Sequence, residues 1–149
     1  MGKGSKKGGE HVSRILIVDD EVKLVKKLKK LLENDGFEIE TASNGKEALH
    51  IIETSKPFDV IISDIRMEEM DGLTFLKEVH QKGLDVGVIM ITGYGDMDTF
   101  LESLYFGAFE YINKPVQYEK LLDTINKLLH DRERQMKKKR KHPKSRKEK

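Results

Sequence analysis

The amino-acid sequence predicts an α/β fold in which helices cover both faces of a parallel sheet. Short apolar or β-branched runs alternate, five times in order, with stretches whose apolar residues recur at helical spacing. Two of these runs are continuously apolar, as parallel strands that are buried on both faces are. The length of 149 residues fits one ordinary domain with tails.

The first half of the chain predicts three strands and two helices. A lysine-rich amphipathic stretch follows the first apolar run, and Gly36 suits the left-handed cap at its end. Ser43 or Asn44 suits the amino cap of the second helix, and Pro57 stops that helix. The predicted elements are, in order, a strand over 14–18, a helix over 21–35, a strand over 37–42, a helix over 45–55 and a strand over 59–64.

The second half predicts three helices and two strands. The third helix starts at Leu73 after an Asp-Gly turn and closes at Gly83, and Pro115 stops the fifth strand. The leucines from 121 to 129 fall at helical spacing, and we interpret them as core residues rather than as a dimer seam. The predicted elements are a helix over 73–83, a strand over 86–91, a helix over 96–107, a strand over 109–112 and a helix over 117–136.

Five strand–helix units in this length suit a flavodoxin-like, doubly wound (βα)5 fold with the strand order 2-1-3-4-5. The crossovers between parallel strands are expected to be right-handed. Ligands of such sheets bind at the carboxyl ends of the strands, beside the switch point between strands one and three. The residues that directly follow the strands are therefore the candidate site.

Polar residues stand at the carboxyl end of four predicted strands. The first strand ends at Asp19 and Asp20, the third at Asp64, the fourth at Thr92 and the fifth at Lys114. Carboxylates about 4 Å apart repel one another by at least ~1 kcal/mol per pair even in water. A hard divalent cation relieves that repulsion, and three oxygen ligands with several waters suit Mg²⁺.

The same residues fit phosphoryl transfer. With a metal bound, one carboxylate is left able to act as a nucleophile, as carboxylates do when they form aspartyl phosphates. Thr92 offers a hydroxyl donor to a phosphoryl oxygen, and Lys114 offers a positive charge. Each of these residues alone is an ordinary capping or loop residue, so the prediction of a site rests on their common position at one edge of the sheet.

The composition excludes several classes of protein. The chain has no cysteine, which excludes disulfides, thiolate metal sites and a cysteine nucleophile. Its apolar runs are far shorter than the ~20 residues of a membrane span, and no apolar segment follows the N-terminal lysines as in a signal peptide. We therefore expect a soluble, cytoplasmic protein.

The formal net charge of +2 conceals an uneven distribution of charge. The first 14 residues carry +3, the last 19 carry +8, and the residues between them carry −9. We expect an acidic ordered domain over 13–131, a disordered basic segment over 1–12, and the end of the last helix followed by a disordered basic tail over 132–149.

Three interpretations of the basic C-terminal tail stay open. In the first, the tail is an arm that binds a polyanion, such as nucleic acid or an acidic membrane surface. In the second, it is a linker to an effector domain. In the third, it is a cationic arm that docks on the acidic domain. The tail lacks the aromatic residues that stack on single-stranded nucleic acid. No helix-turn-helix can be built from residues 137–149.

In the residues at its predicted strand ends, the sequence resembles the receiver domains of two-component response regulators, including chemotaxis regulators. The resemblance covers residues 13–131, and its motifs agree with that family in order and in spacing. The motifs are ILIVDDE from position 15, DVIISDIRM from 59, MDG from 70, IMITGYGD from 89 and GAFEYINKP from 107.

This resemblance implies a phosphoacceptor and a magnesium site. Asp64 corresponds to the aspartate that receives a phosphoryl group from a sensor histidine kinase or a histidine phosphotransfer protein. Asp20 corresponds to a direct Mg²⁺ ligand and Asp19 to a ligand through water, while Asp64 and the backbone carbonyl of Arg66 complete the metal site.

The resemblance also implies a switch. Thr92 and Lys114 correspond to the residues that bind the phosphoryl group, and Tyr111 corresponds to an aromatic side chain that turns inward when Thr92 moves. The surface of the fourth helix, fifth strand and fifth helix then changes its affinity for a partner, an effector or a second copy of the chain. The side chains of Arg66 and Tyr94 lie where they tune hydrolysis of the phosphorylated form.

One departure from the family concerns the loop after the phosphoacceptor. Receivers often carry proline four residues after that aspartate, where this chain has Glu68 followed by Glu69. The loop thereby loses a rigid element and gains two charges near the metal. We expect altered loop mobility rather than lost phosphorylation, because no ligand side chain changes.

Other functions remain as alternatives to a signalling domain that only phosphorylates and dephosphorylates itself. In one alternative, the chain is a truncated receiver of a larger transcriptional regulator. In another, it is an aspartyl-phosphate phosphohydrolase. One such phosphohydrolase family requires a second Asp two residues after the nucleophile, where this chain has Arg66. A dinucleotide-binding domain needs a glycine-rich turn after the first strand, where Asp19-Asp20-Glu21 would repel a pyrophosphate.

Overall fold

A five-stranded parallel sheet is the centre of the computed structural model, which describes residues 6–7, 11–67, 69–93 and 95–141. Counted along the chain, the strands of this sheet lie side by side in the order 2-1-3-4-5, and all neighbours are parallel. The predicted doubly wound, flavodoxin-like topology is confirmed. The strands are β1 (Arg14–Val18), β2 (Glu38–Ala42), β3 (Val60–Asp64), β4 (Gly87–Thr92) and β5 (Glu110–Asn113).

Within the described residues, one helix follows each strand of the sheet. Three of these helices begin at a side-chain cap, because Asn44, Asp71 and Asp96 each accept the backbone N–H three residues later, at 2.8, 2.9 and 2.9 Å. None of the helices in this part of the chain has the length and apolar character to cross a bilayer. They are α1 (Val22–Asn34), α2 (Gly45–Thr54), α3 (Gly72–Gln81), α4 (Met97–Tyr105) and α5 (Tyr118–Lys141).

Two apolar layers hold the helices on the sheet, because alternate residues of a strand point to opposite faces. In β1, Ile15 and Ile17 pack with residues of α1 and α5, whereas Leu16 and Val18 pack with residues of α2 and α3. All four side chains are fully buried. Each such burial contributes about 1.5–3 kcal/mol relative to an exposed side chain, which fixes the strand ends that carry the candidate site.

The apolar face of α5 belongs to the core. Leu121 and Ile125 have no exposed surface, Leu128 is 1% exposed, and Leu129 is partly buried against the same layer. The interpretation of these residues as core rather than as a dimer seam is therefore confirmed.

The last helix is longer than the sequence predicted. It ends at Lys141, five residues beyond the predicted end at 136. Residues 137–141 are all Lys or Arg, which lose little rotamer freedom in a helix, and the negative end of the helix dipole favours cations there. The expected disorder is wrong for these five residues, and residues 142–149 lie outside the described part of the chain.

A short antiparallel pair precedes the sheet. Residues Lys6–Lys7 pair with His11–Val12, whereas the composition predicted disorder over 1–12. That expectation is wrong for these four residues, because backbone pairing between strands does not depend on an apolar composition. Residues 1–5 and 8–10 lie outside the described residues.

Candidate functional site

Three carboxylates gather at the carboxyl edge of the sheet. Asp19 follows β1 and Asp64 ends β3, and these two strands are neighbours in the sheet. One oxygen from each of Asp19, Asp20 and Asp64 lies within 4.8 Å of the others. Asp19 and Asp64 are buried, whereas Asp20 is exposed, so the cluster is reachable from solvent on one side.

The ammonium of Lys114 reaches this cluster from the end of β5. Its Nζ lies 3.3 Å from Oδ2 of Asp64, 3.2 Å from Oδ2 of Asp19 and 2.9 Å from Oε1 of Glu21. The backbone N–H of Lys114 donates to the carbonyl of Thr92 at 2.8 Å, which holds the base of the side chain at this edge. The structure thus brings Asp64 and Lys114 together, as the sequence predicted.

Burial and neighbouring charges set the ionisation of these groups. Burial raises the pKa of Asp19, the backbone N–H of Glu21 opposes this rise, and the charge of Asp64 adds to it. Burial alone would lower the pKa of Lys114, but the hydrogen bond to Glu21 and the charges of Asp19 and Asp64 raise it above its usual value. Lys114 is therefore positively charged, and it neutralises only part of the surrounding negative charge.

The side chain of Asp19 fits a divalent cation. Its Oδ1 accepts the backbone N–H of Glu21 at 2.9 Å. Its buried Oδ2 accepts no aligned hydrogen bond from any described residue, although the Lys114 ammonium lies 3.2 Å away. The ion pair with Lys114 therefore leaves Oδ2 of Asp19 able to bind a cation, and a group of carboxylate oxygens is the donor set that Mg²⁺ prefers.

A close approach at Gly72 shapes the loop that follows β3. A Cβ at this position would lie 1.8 Å from the backbone oxygen of Asp64. The Gly72 N–H donates to the carbonyl of Ile65 at 2.8 Å, and the Ile65 N–H donates to Oδ1 of Asp64 at 2.7 Å. The Asp71-Gly72 pair therefore caps α3 and also closes the loop that carries Arg66.

Tyr111 links this edge of the sheet to α4, and Thr92 ends the strand beside it. Thr92 ends β4 and is fully buried. The hydroxyl of the half-buried Tyr111 lies 2.8 Å from Oγ1 of Thr99, and its ring packs edge-on against Phe100 with 5.4 Å between centroids. Tyr111 is thus held against α4 by its hydroxyl as well as by its ring.

The structure describes only part of two loops, the one after β3 and the one after β4, in which the residues predicted to tune hydrolysis lie. Arg66 is exposed. The backbone N–H of Thr99 is the chief cause that lowers the pKa of Asp96, and the positive charge of Arg66 adds to this effect. Glu69 has a φ of 66°, which residues other than glycine rarely adopt. Tyr94 and Glu68 lie outside the described residues.

The structure adds two residues that the sequence did not single out. Glu21 belongs to the acidic run after β1, but spacing alone does not say which carboxylate reaches Lys114. Thr99 gave no signal, because threonine in the first turn of a helix is ordinary. Its contact with Tyr111 arises from the packing of α4 on β5.

Comparison with known proteins places this chain and its fold in one family. The family model described as the response regulator receiver domain matches residues 15–126. The regulatory protein AtoC of Escherichia coli (strain K12) is 40% identical over 118 residues, which are 79% of this chain and 25% of AtoC. The chemotaxis protein CheY of Bacillus subtilis (strain 168) is 38% identical over 117 residues, which are 78% of this chain and 97% of CheY.

The solved structures agree. A CheY-like response regulator receiver domain protein from Methanospirillum hungatei JF-1 has a TM-score of 0.80 at 35% identity, covering 83% of this chain and 98% of that chain. This chain spans about a quarter of the length of the transcriptional regulators that it matches, and the matched part contains the sheet and its carboxyl edge. The chain belongs to the response regulator receiver domain family.

Proposed function

We propose that Asp64 accepts a phosphoryl group, and that the surface formed by α4, β5 and α5 transmits this event to a partner. The observation that carries the proposal is the carboxyl edge itself. Three carboxylates offer oxygens within 4.8 Å of one another, and the Lys114 ammonium lies 3.3 Å from Asp64. This arrangement supports the binding of a cation and of a phosphoryl group, because a purely structural ion pair does not need three carboxylates around one ammonium.

The reaction begins when a carboxylate oxygen of Asp64 attacks the phosphorus of the donor. The bond from phosphorus to the imidazole nitrogen of a phosphohistidine, or to the carboxylate oxygen of acetyl phosphate, breaks, and its electron pair leaves with that group. The product is an aspartyl phosphate. Water later attacks the phosphorus, releases inorganic phosphate and restores the carboxylate of Asp64.

Each remaining residue has a distinct part in this proposal. Lys114 balances the charge of the bound phosphoryl group, and Thr92 donates its hydroxyl to a phosphoryl oxygen. The side chains of Arg66 and Tyr94 tune the access of the hydrolytic water. The chemistry serves signalling, because Asp64 is itself the group that is modified.

Asp19, Asp20, Asp64 and the backbone carbonyl of Arg66 are the residues that would hold Mg²⁺. The bound cation supplies positive charge that lowers the repulsion between the carboxylates and an anionic donor. The buried Oδ2 of Asp19, which has no aligned hydrogen bond from a described residue, supports this assignment.

Tyr111 connects the phosphorylated edge to the output surface. We infer that Thr92 turns toward the phosphoryl group, that the β4–α4 loop follows, and that Tyr111 leaves Thr99 and turns inward. The phosphoryl group biases two states through the contacts that it makes in only one of them. Four large apolar side chains of α4 are exposed, so a partner can contact them. They are Met97, Leu101, Leu104 and Tyr105.

Membership of the family implies an upstream phosphodonor protein and a downstream effector. We propose a sensor histidine kinase or a histidine phosphotransfer protein as the donor, acting in the cytoplasm. The absence of cysteine fits a compartment in which proteins do not depend on disulfides. The exposed face of α4 then meets an effector or, after phosphorylation, a second copy of the chain.

Mass spectrometry of the intact protein tests the phosphoacceptor directly. The wild type is expected to gain one phosphoryl group after incubation with acetyl phosphate and Mg²⁺, and to gain none when EDTA replaces the metal. Asp64→Ala is expected to gain none in either condition. Asp59→Ala, which removes a carboxylate at the opposite edge of the sheet, is the matched control and is expected to be modified like the wild type.

Two results would contradict the proposal. One is a phosphoryl group on the Asp64→Ala variant, which would place the acceptor elsewhere. The other is an unmodified wild type both with acetyl phosphate and with a panel of phosphorylated histidine kinases.

A further inference from the structure

The end of α5 forms a cationic arm outside the body of the domain. Arg132 contacts the body of the domain near the end of α5. Its Nη1 lies 3.2 Å from Oδ1 of Asp85, and its Nη2 donates to the Asp85 carbonyl at 3.3 Å. Residues 133–139 are all exposed, and the helix continues to Lys141. We call residues 133–141 the basic arm, which extends about 13 Å at 1.5 Å per residue.

The charge of the basic arm opposes that of the domain that carries it. Six of its nine residues are Lys or Arg and one is Glu133, whereas residues 15–130 carry −9. Like charges four residues apart, such as those of Arg134 and Lys138, destabilise a helix in solution. A bound polyanion would remove that repulsion. The helical form of the arm is therefore expected to be more stable with an anionic partner than without one.

The side chains of the arm select among anionic partners. Met136 is the only large apolar residue of the arm, so the arm has no apolar face to insert into a bilayer. It has no aromatic residue to stack on the bases of a single strand. Because the arm continues α5 as one helix, it points away from the acidic domain rather than folding back on it.

We propose that the basic arm binds duplex DNA through its phosphates, without sequence preference. A helix about 10–12 Å across fits the major groove of B-DNA, which is about 12 Å wide. The major groove of an A-form RNA duplex is too deep and narrow to admit it. Phosphate contacts by Lys and Arg release counterions, and this supplies sequence-independent affinity.

This inference does not depend on the phosphorylation of Asp64. α5 runs from the carboxyl edge, near Lys114, to Asp85 before β4 at the amino edge, so the arm leaves the domain on the side away from the phosphoacceptor. Bound DNA therefore leaves the carboxyl edge accessible, and the two activities are measured separately.

Fluorescence anisotropy of a labelled, mixed-sequence duplex, titrated with the full chain at several salt concentrations, tests the proposal. The arm variant carries Lys137→Gln, Lys138→Gln and Lys139→Gln. The control variant removes the same charge from exposed positions of α1, with Lys23→Gln, Lys26→Gln and Lys27→Gln. We expect the arm variant to bind at least about tenfold more weakly than the wild type and to lower the salt slope of log K by about 2–3, because each lost phosphate contact changes the slope by about 0.9. The control variant is expected to bind within about twofold of the wild type.

Several results would overturn the proposal. One is a wild type that does not bind the duplex at low salt. Another is an equal loss of affinity in both triple variants, which would make net charge rather than the arm responsible. Tighter binding to a single strand of equal length, or to vesicles of phosphatidylserine and phosphatidylcholine, would assign the arm to another partner. Far-UV circular dichroism of both variants shows independently that each is folded.

Discussion

The two ends of β1 both carry buried ionic groups, but only the amino edge of the sheet satisfies them. There the guanidinium of Arg14 donates to Oε2 of Glu38 at 3.0 Å, contacts the carbonyls of two loop residues, and lies 4.3 Å from the ring centroid of Phe58. The backbone N–H of Arg14 donates to Asp59 at 2.9 Å. This buried charge has partners on each of its faces and is explained by structure alone.

The carboxyl edge has the opposite balance. Asp19 and Asp64 are buried beside each other, share the ammonium of Lys114, and leave one oxygen of Asp19 without an aligned hydrogen bond from any described residue. A buried charge is therefore weak evidence for a site. A buried charge that lacks sufficient partners points to a ligand from outside the chain.

The comparison predicts that a change at the amino edge affects stability without affecting function. Arg14→Leu keeps apolar contact with Phe58 but removes the donors to Glu38 and the loop carbonyls, and it should lower the free energy of unfolding by about 2 kcal/mol. This loss is smaller than the 3–5 kcal/mol typical of a broken buried pair, because Glu38 is half-exposed and stays hydrated. Urea unfolding measures the loss.

The rate of phosphorylation by acetyl phosphate is the matching control for Arg14→Leu. It should stay within about twofold of the wild type, because five residues of extended strand place Arg14 about 16 Å from Asp19. A large fall in that rate in a variant that is still folded would mean that the two edges are coupled, and the contrast between them would fail.

A change at the carboxyl edge should have the reverse effects. Asp19→Asn is expected to slow Mg²⁺-dependent phosphorylation and yet to raise the free energy of unfolding of the metal-free domain by about 1 kcal/mol near neutral pH. The reason is that burial and the charge of Asp64 destabilise the ionised form of Asp19 in the folded state. Urea unfolding in EDTA measures the gain, and Asp123→Asn on the exposed face of α5 should show none.

The pH dependence of that gain follows from its sign. The pKa of Asp19 is raised in the folded state, so the folded protein binds this proton more readily than the unfolded chain. As the pH falls from neutral through the folded pKa toward the unfolded value of about 3.9, the wild type gains stability and the advantage of Asp19→Asn shrinks. An advantage that stays constant down to about pH 4 would show that ionisation of Asp19 is not its cause.

Adding Mg²⁺ should reverse the ranking of the same two proteins. At a hundredfold excess over its dissociation constant, a ligand that binds only the folded state stabilises it by about 2.7 kcal/mol. The wild type is expected to gain on this scale and Asp19→Asn much less. Equal gains in both proteins would remove Asp19 from the metal site.

The sequence predicted the sheet well because buried strands leave a local signal. The predicted and observed bounds of β1 are the same, β2 and β3 each differ by one residue at their start, and β4 and β5 are each shifted by one residue at both ends. The apolar run and the polar residue that ends it are neighbours in the chain. The positions of Asp19 and Asp64 at one edge followed directly from that signal and from the parallel topology.

What the sequence did not predict depends on side chains that are far apart in the chain. The bond between Lys114 and Glu21 and the bond between Tyr111 and Thr99 join separate elements, so no local pattern marks them. Arg14 looked like an ordinary first residue of a strand, although it organises the amino edge. The end of α5 was missed because a run of Lys and Arg has the composition of a disordered tail and also favours a helix.

A substitution at Thr99 tests whether the carboxyl edge, unlike the amino edge, communicates with a helix. Thr99→Val removes the hydroxyl bonded to Tyr111 and should lower the free energy of unfolding by about 0.5–1.5 kcal/mol. Because this bond holds Tyr111 against α4, its loss should shift the unphosphorylated protein toward the state in which Tyr111 is turned inward. The ¹⁹F resonance of fluorotyrosine at position 111 should move toward that of the phosphorylated wild type.

Thr124→Val on α5 is the matched control, because it removes a hydroxyl that bonds within its own helix, 2.9 Å from the carbonyl of Lys120. It should change the stability by a similar amount and leave the Tyr111 resonance in place. If Thr99→Val also leaves that resonance in place, the bond to Thr99 only adds stability. The path from Asp64 to α4 would then have to run through the β4–α4 loop without Tyr111, and the carboxyl edge would resemble the amino edge in acting only locally.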